Sequence, residues 1–201
     1  KERNFEKKGI DKIINDIKHK IYIPKKAKIE GGDIILYNDI IFIGYSKTSS
    51  FNNYKASRTN EKGLEFIKNS FPNKKIYGFE LIKDDYDPYS NILHLDCTMQ
   101  PIGNNQLILY ENGFKNKNDV ELINKIFGKN NIIKINNKEL YNLNTNIFSI
   151  DNKTIVSNTS FTKLNTTLEN LGYKVEKTKY DEISKFGGLF RCTTLPLERK
   201  A

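Results

Sequence analysis

The thiol of Cys192 lies in the stretch Phe186-Gly187-Gly188-Leu189-Phe190-Arg191-Cys192-Thr193-Thr194-Leu195-Pro196-Leu197. The paired glycines, including Gly188, permit positive φ or close backbone approach just ahead of a short apolar run. A cysteine set there is a nucleophile if its pKa is lowered and a base lies nearby. Otherwise it is a small hydrophobe in a buried strand. Two further stretches carry reactive types, Glu30-Gly31-Gly32-Asp33 and His94-Leu95-Asp96. In a strand, side chains alternate, so His94 and Asp96 share one face: an acid or base beside an anion suited to a cation. The bland alternative is a core histidine paired to its aspartate. Glu30 precedes glycines that let it point into a cleft, and Asp33 opens the strand that follows.

The chain holds only two histidines and two cysteines. His19, among lysines, reads as exposed or capping. Cys97 directly follows Asp96, so in a strand it points away from the site and is structural. Two cysteines make neither a disulfide framework nor a metal-ligand spacing, and no metal or organic cofactor is implied.

With 201 residues, 37% hydrophobic and 28% charged, the chain reads as one soluble domain with a sizeable core. No apolar run approaches the roughly 20 residues of a membrane span. The charged start, Lys1-Glu2-Arg3-Asn4-Phe5-Glu6, lacks the apolar centre of a signal peptide. With so few cysteines, a reducing cytoplasm is the expected location. The net charge of +9 raises nucleic-acid binding, but the excess is lysine scattered along the chain. Phosphate and base recognition favours clustered arginine forks, so the lysines read as solvated surface with no specific nucleic acid and no membrane partner.

The elements that must position the reactive residues recur. Residues 6–20 carry Ile10, Ile13, Ile14 and Ile17 at helical spacing. Residues 33–44 read as two strands joined by the turn pair Asn38-Asp39; a helix begins at Asn60, and residues 75–81 form a strand. The second round is strands over 92–98 and 106–110, a helix over 119–127 capped by Asn118 and stopped by Gly128, and a strand over 132–135. The third is a hairpin over 146–156 turning at Asp151-Asn152, a helix over 162–171 ended by Gly172, and a strand over 173–179. The order hairpin, helix, strand repeats about every 50–65 residues, and such units bury their apolar faces only against neighbours. A closed or stacked ring follows, with function in loops at one end; the alternative is an ordinary α+β sandwich.

Glu30-Gly31-Gly32-Asp33, Ser57-Arg58-Thr59-Asn60, His94-Leu95-Asp96 and the Gly187-to-Leu197 stretch, in this order, resemble the guanidine-modifying enzyme superfamily. That pentein group comprises arginine deiminases, dimethylarginine dimethylaminohydrolases and amidinotransferases. The resemblance implies an α/β fold, a pseudo-symmetric propeller of ββαβ units, five in relatives, with about three plus a closing strand visible here. It implies one catalytic domain over residues 1–201 that lacks an N-terminal part of the propeller, where relatives carry an additional carboxylate. It implies that Cys192 attacks the guanidinium carbon, that His94 passes protons and that Glu30 orients His94. Asp96 would grip the guanidinium nitrogens. Asp33 would touch substrate or buttress its loop, and Gly188 would belong to the substrate-binding set. Arg58 would take the carboxylate of an amino-acid substrate, although residues 47–56 separate it from Gly44-Tyr45-Ser46, where relatives place their arginine. Arg191, in an extended chain, would face away from the site.

The expected reaction is hydrolysis of arginine or a substituted arginine through a thiouronium on Cys192, giving citrulline plus ammonia or an amine. An amidinotransferase uses the same residues with an amine acceptor. A non-catalytic relative acting as a binding protein is the reading from another class. An oligomer is possible but not predicted.

Overall fold

The computed structural model describes residues 9, 11–15, 17, 20–103 and 105–196. Helix α1 covers Asp11–Asn15, within the expected 6–20 segment; Ile13 and Ile17 are exposed, while Ile10 and His19 lie outside the described residues.

The first unit starts with β1 (Ile34–Tyr37) and β2 (Ile40–Tyr45), antiparallel with Tyr37 opposite Ile40. Asn38 in the connecting turn has a φ of 52°, a left-handed conformation that asparagine tolerates. The chain crosses through α2 (Thr48–Asn53) and α3 (Glu61–Ser70), then returns as β3 (Lys75–Glu80), parallel to β2. The second unit has β4 (Met99–Ile102) antiparallel to β5 (Gln106–Leu109), then α4 (Lys117–Phe127), then β6 (Ile132–Lys134) parallel to β5. After α5 (Asn137–Tyr141) the third unit gives β7 (Phe148–Ser149), β8 (Thr154–Asn158), α6 (Thr162–Asn170) and β9 (Lys174–Thr178), with the same antiparallel and parallel pairings. Helix α7 (Asp181–Ser184) leads to the cysteine stretch. Among the described residues the result is an α/β arrangement of three three-stranded sheets, each with its second strand in the middle.

Side-chain alternation explains why each middle strand is buried on both faces. In β2, Ile41 and Ile43 pack with Leu64 and Ile67 of α3. The intervening Phe42 enters the main core, which also holds Phe79 of the same unit and Leu107, Leu109, Ile155 and Leu189 from farther along the chain. The first two units are stitched by backbone as well: Ile82 N–H donates to the Gly113 carbonyl at 3.0 Å and Lys115 N–H to Glu80 at 2.9 Å.

Some local expectations change. The strand expected over 92–98 is a single 3-10 turn, Leu95–Cys97, ahead of β4. Local bonds from Cys97 N–H to the His94 carbonyl (3.1 Å) and from Thr98 N–H to Leu95 (3.0 Å) hold this backbone out of the ladder. Asn116 caps α4 in place of Asn118, its side chain accepting from Asn118 N–H at 3.0 Å. Gly128 ends that helix with a φ of 80°, as its lack of a Cβ permits. No helix among the described residues is long and apolar enough to cross a membrane.

Candidate active site

Each reactive stretch sits where a unit begins. Asp33 closes a 3-10 turn, Gly31–Asp33, just before β1. It is 1% exposed; Oδ2 accepts from the Thr59 hydroxyl at 2.6 Å and Oδ1 from Leu95 N–H at 3.1 Å. The same hydroxyl accepts from Glu30 N–H at 3.1 Å. Both Asp33 oxygens are therefore engaged in joining the first unit to the His94 turn. Burial raises its pKa, with the His94 charge opposing.

Glu30 Oε2 lies 2.8 Å from His94 Nε2. Gly32 makes this approach possible, because a Cβ there would fall 2.8 Å from the His94 ring. Arg58 Nη1 stands 3.8 Å from the other Glu30 oxygen. Arg58 also lines a cavity of about 260 Å³ with Lys55, Asp84, Asp85, Tyr86 and Leu93. The sequence reading missed Lys83: it is buried, and its Nζ donates to the Ile92 and Leu93 carbonyls at 2.6 and 2.8 Å, fixing the chain that leads into His94. Burial pulls its pKa down to about 8, against the pull of Asp33.

Asp96 is 2% exposed. Burial raises its pKa to about 6, offset by the charges of His94 and Arg191. Cys97 does not turn away from this group: its Sγ lies 3.7 Å from Asp96 Oδ1. The tighter rotation of a 3-10 turn is the cause, since successive side chains no longer alternate as they do in a strand. Donor atoms of His94, Asp96 and Cys97 lie within 4.8 Å of one another, a spacing that could hold a metal ion, and two of the three residues are buried.

The cysteine stretch is also a turn. Gly187 and Gly188 have φ of 85° and 95°, and Thr193 N–H donates to the Leu189 carbonyl at 3.1 Å. A Cβ on Gly188 would lie 2.9 Å from Cys192 Sγ, so glycine is required twice over, for φ and for space. The chain coils here rather than extending, and the Arg191 charge acts on both Asp96 and Cys192. Cys192 is exposed, yet partial desolvation and then the Asp96 charge raise its pKa, while a hydrogen bond from Asn146 lowers it.

Two adjacent residues at the start of the third unit bridge the two loops. The Thr145 hydroxyl donates to the Cys97 carbonyl at 2.7 Å. Asn146 Nδ2 donates to Cys192 Sγ at 3.1 Å. Neither was singled out from the sequence, although counting from the hairpin turns finds Asn146: Asp33 is five residues before Asn38, and Asn146 five before Asp151. The structure thus joins Glu30 to His94 directly and couples Asp96 electrostatically to both His94 and Cys192. Carboxylates, a histidine and a thiol so arranged can hold a cation, move a proton and attack an electrophilic carbon.

Units of ββαβ order with this glutamate–histidine pair and glycine-lined thiol define a pentein of the guanidine-modifying superfamily. Residues 3–199 match the model of the eukaryotic N,N dimethylarginine dimethylhydrolase family, and the chain belongs to that family. YkgA of Bacillus subtilis (strain 168) is 27% identical over 197 residues, covering 96% of this chain and 62% of YkgA. The N-terminal domain of ArgZ, an arginine dihydrolase of the cyanobacterial ornithine–ammonia cycle solved with product bound, superposes with a TM-score of 0.78 at 22% identity, over 97% of this chain and 66% of that one. A Pseudomonas aeruginosa DDAH mutant complexed with citrulline gives a TM-score of 0.69 at 21% identity, over 92% of this chain and 64% of that one. The chain therefore spans somewhat under two thirds of the length of these relatives.

Proposed function

We propose that the chain hydrolyses the guanidinium group of arginine or a substituted arginine, giving citrulline and ammonia or an amine. The observation that carries this reading is the 2.8 Å Glu30–His94 contact with Asp96 acting on His94 and Cys192 alike. The thiolate of Cys192 forms a bond to the guanidinium carbon. His94 gives its proton to the departing nitrogen as the C–N bond breaks, and a thiouronium remains on sulfur. Water then adds to that carbon and gives a proton to His94. The C–S bond breaks, returning the electron pair to Cys192, and the added oxygen loses its remaining proton to solvent, leaving the ureido product.

Charge supports each role. Glu30, 2.8 Å from Nε2, holds the His94 ring. Asp96 offers the anion that grips the cation. Without substrate the Cys192 pKa is raised, so a bound guanidinium supplies the positive charge that draws off the thiol proton. Arg58, on the wall of the neighbouring cavity, suits a substrate carboxylate, and Gly188 leaves the space beside the sulfur. Asp33 acts as the buttress of the His94 turn. The three units fit blades of a propeller within a single catalytic domain, and two free cysteines suit a reducing cytoplasm.

Incubation with arginine and, separately, with dimethylarginine tests this. Citrulline formed by the wild type and lost in Cys192→Ser, with the fold retained, is the expected result. Wild-type turnover by Cys192→Ser removes the thiol from the mechanism. A new guanidino compound in the presence of glycine, in place of citrulline, assigns transfer rather than hydrolysis.

A further inference from the structure

Asn146 is fully buried and neither of its polar side-chain atoms is left over. Its Oδ1 accepts from the backbone N–H groups of Leu189, Arg191 and Cys192 at 2.9, 3.1 and 3.3 Å. Its Nδ2 donates to the sulfur at 3.1 Å. One planar amide thus fixes the loop with one end and touches the reacting atom with the other.

Asp33, at the corresponding place in the first unit, does half of this. Its Oδ1 accepts the N–H of Leu95, the neighbour of His94. The two positions hold the loops of the acid–base group and of the nucleophile, and they differ in one atom of side-chain chemistry. A carboxylate is compatible with a loop whose reactive group gains positive charge. It is incompatible with one whose reactive group must become an anion, because like charges raise a thiol pKa. An amide keeps the acceptor and replaces the second anionic oxygen with a donor.

We propose that Asn146 is a further catalytic residue, whose carboxamide N–H stabilises the Cys192 thiolate and aims it while its carbonyl holds the loop. The bond to sulfur is strongest before attack and weakens as the sulfur electron pair forms the C–S bond. It is restored when that bond breaks and the thiolate leaves. The amide gains and loses no proton. This role rests on Cys192 being the nucleophile, as proposed above. The other charged groups acting on the sulfur are Asp96, which raises its pKa, and Arg191, which lowers it; Cys97 also interacts with it.

Asn146→Asp tests the proposal, because it retains the loop acceptor and removes the donor. Iodoacetamide labelling of Cys192, resolved from Cys97 by peptide mass spectrometry, is followed from pH 6 to 10. The variant is expected to label Cys192 at least about tenfold more slowly at neutral pH, equivalent to one pKa unit or more, with Cys97 labelling unchanged. A profile coinciding with wild type, or displaced to lower pH, overturns the proposal. Should the variant not fold, the wild type still decides: the Asn146 carboxamide resonances of ¹⁵N-labelled protein must move with the same midpoint as Cys192 labelling. A flat response across that midpoint overturns it equally. Neither readout uses a guanidino substrate, so absence of turnover would count against the proposed reaction without touching this contact.

Discussion

In its proposed role of gripping a guanidinium, Asp96 places function and stability in opposition. Its pKa is raised to about 6 against 3.8 for the ordinary group, so at neutral pH its ionised form costs folding free energy. With the folded value above the unfolded one, the cost is complete above pH 6. It fades as pH falls toward 4, where both states take up the proton. Replacing Asp96 by Asn is therefore expected to raise stability at pH 7 by on the order of 2 kcal/mol, seen as a higher urea midpoint, and to remove guanidinium turnover. For the wild type, the apparent KM for a guanidinium substrate should climb as pH drops below 6, because the neutral acid no longer grips the cation. A urea midpoint lowered by the substitution would show that the carboxylate is a net structural asset instead. The residue types of this group were readable from the sequence, since few side chains can do such chemistry and they are scarce here. Their mutual placement was not: the 3-10 turn that swings Cys97 beside Asp96 comes from local backbone bonds, and Asn146 has no chemical signature until the thiol is seen against it.

Among the elements, α3 shows how a single polar residue fixes a helix and the site together. The Asn60 side-chain oxygen accepts from Gly63 N–H at 2.9 Å, capping the helix, and from Lys28 N–H at 3.0 Å; its amide donates to the Lys26 carbonyl at 3.1 Å. Residues 26–28 lead directly into Glu30. Asn60→Ala is expected to cost about 1–2 kcal/mol in urea unfolding, from the lost cap and the exposed partners. The Glu30 segment should loosen with it, so amide exchange of residues 28–31 should rise more than that of β4 or β5. Equal exchange in all three would separate the cap from the site. Hairpin, helix and strand were readable because apolar runs, turn pairs and terminal glycines all point the same way, as at Asn38, Gly128 and Gly172. Short elements were not: α2 and α5 are too brief for a period to show, and β7 shrinks to Phe148–Ser149 because Asn146 N–H bonds back to Leu143 at 2.8 Å.

At the scale of the whole molecule, the units act as one because their buried faces are shared. Phe79 of the first unit meets Phe114 of the second edge-on at 5.6 Å, and Leu189, beside the cysteine loop, belongs to the same core as Phe42. Burial of this kind makes small proteins unfold together rather than unit by unit. It also brings Glu30 to His94 and Asn146 to Cys192, although these residues are spread over most of the sequence. The repeat was visible in the chain itself, but the contacts between repeats were not, since periodicity says which face is apolar and not which neighbour covers it. In the proposed reaction this assembly drives Cys192 onto a guanidinium carbon. Acid quenching of the protein mixed with arginine, followed by peptide mass spectrometry, tests it most directly. A mass increase on the Cys192 peptide alone is expected, absent in Cys192→Ser, with citrulline in the supernatant. Citrulline formed at an undiminished rate by Cys192→Ser, or an adduct carried by Cys97 instead, would contradict it.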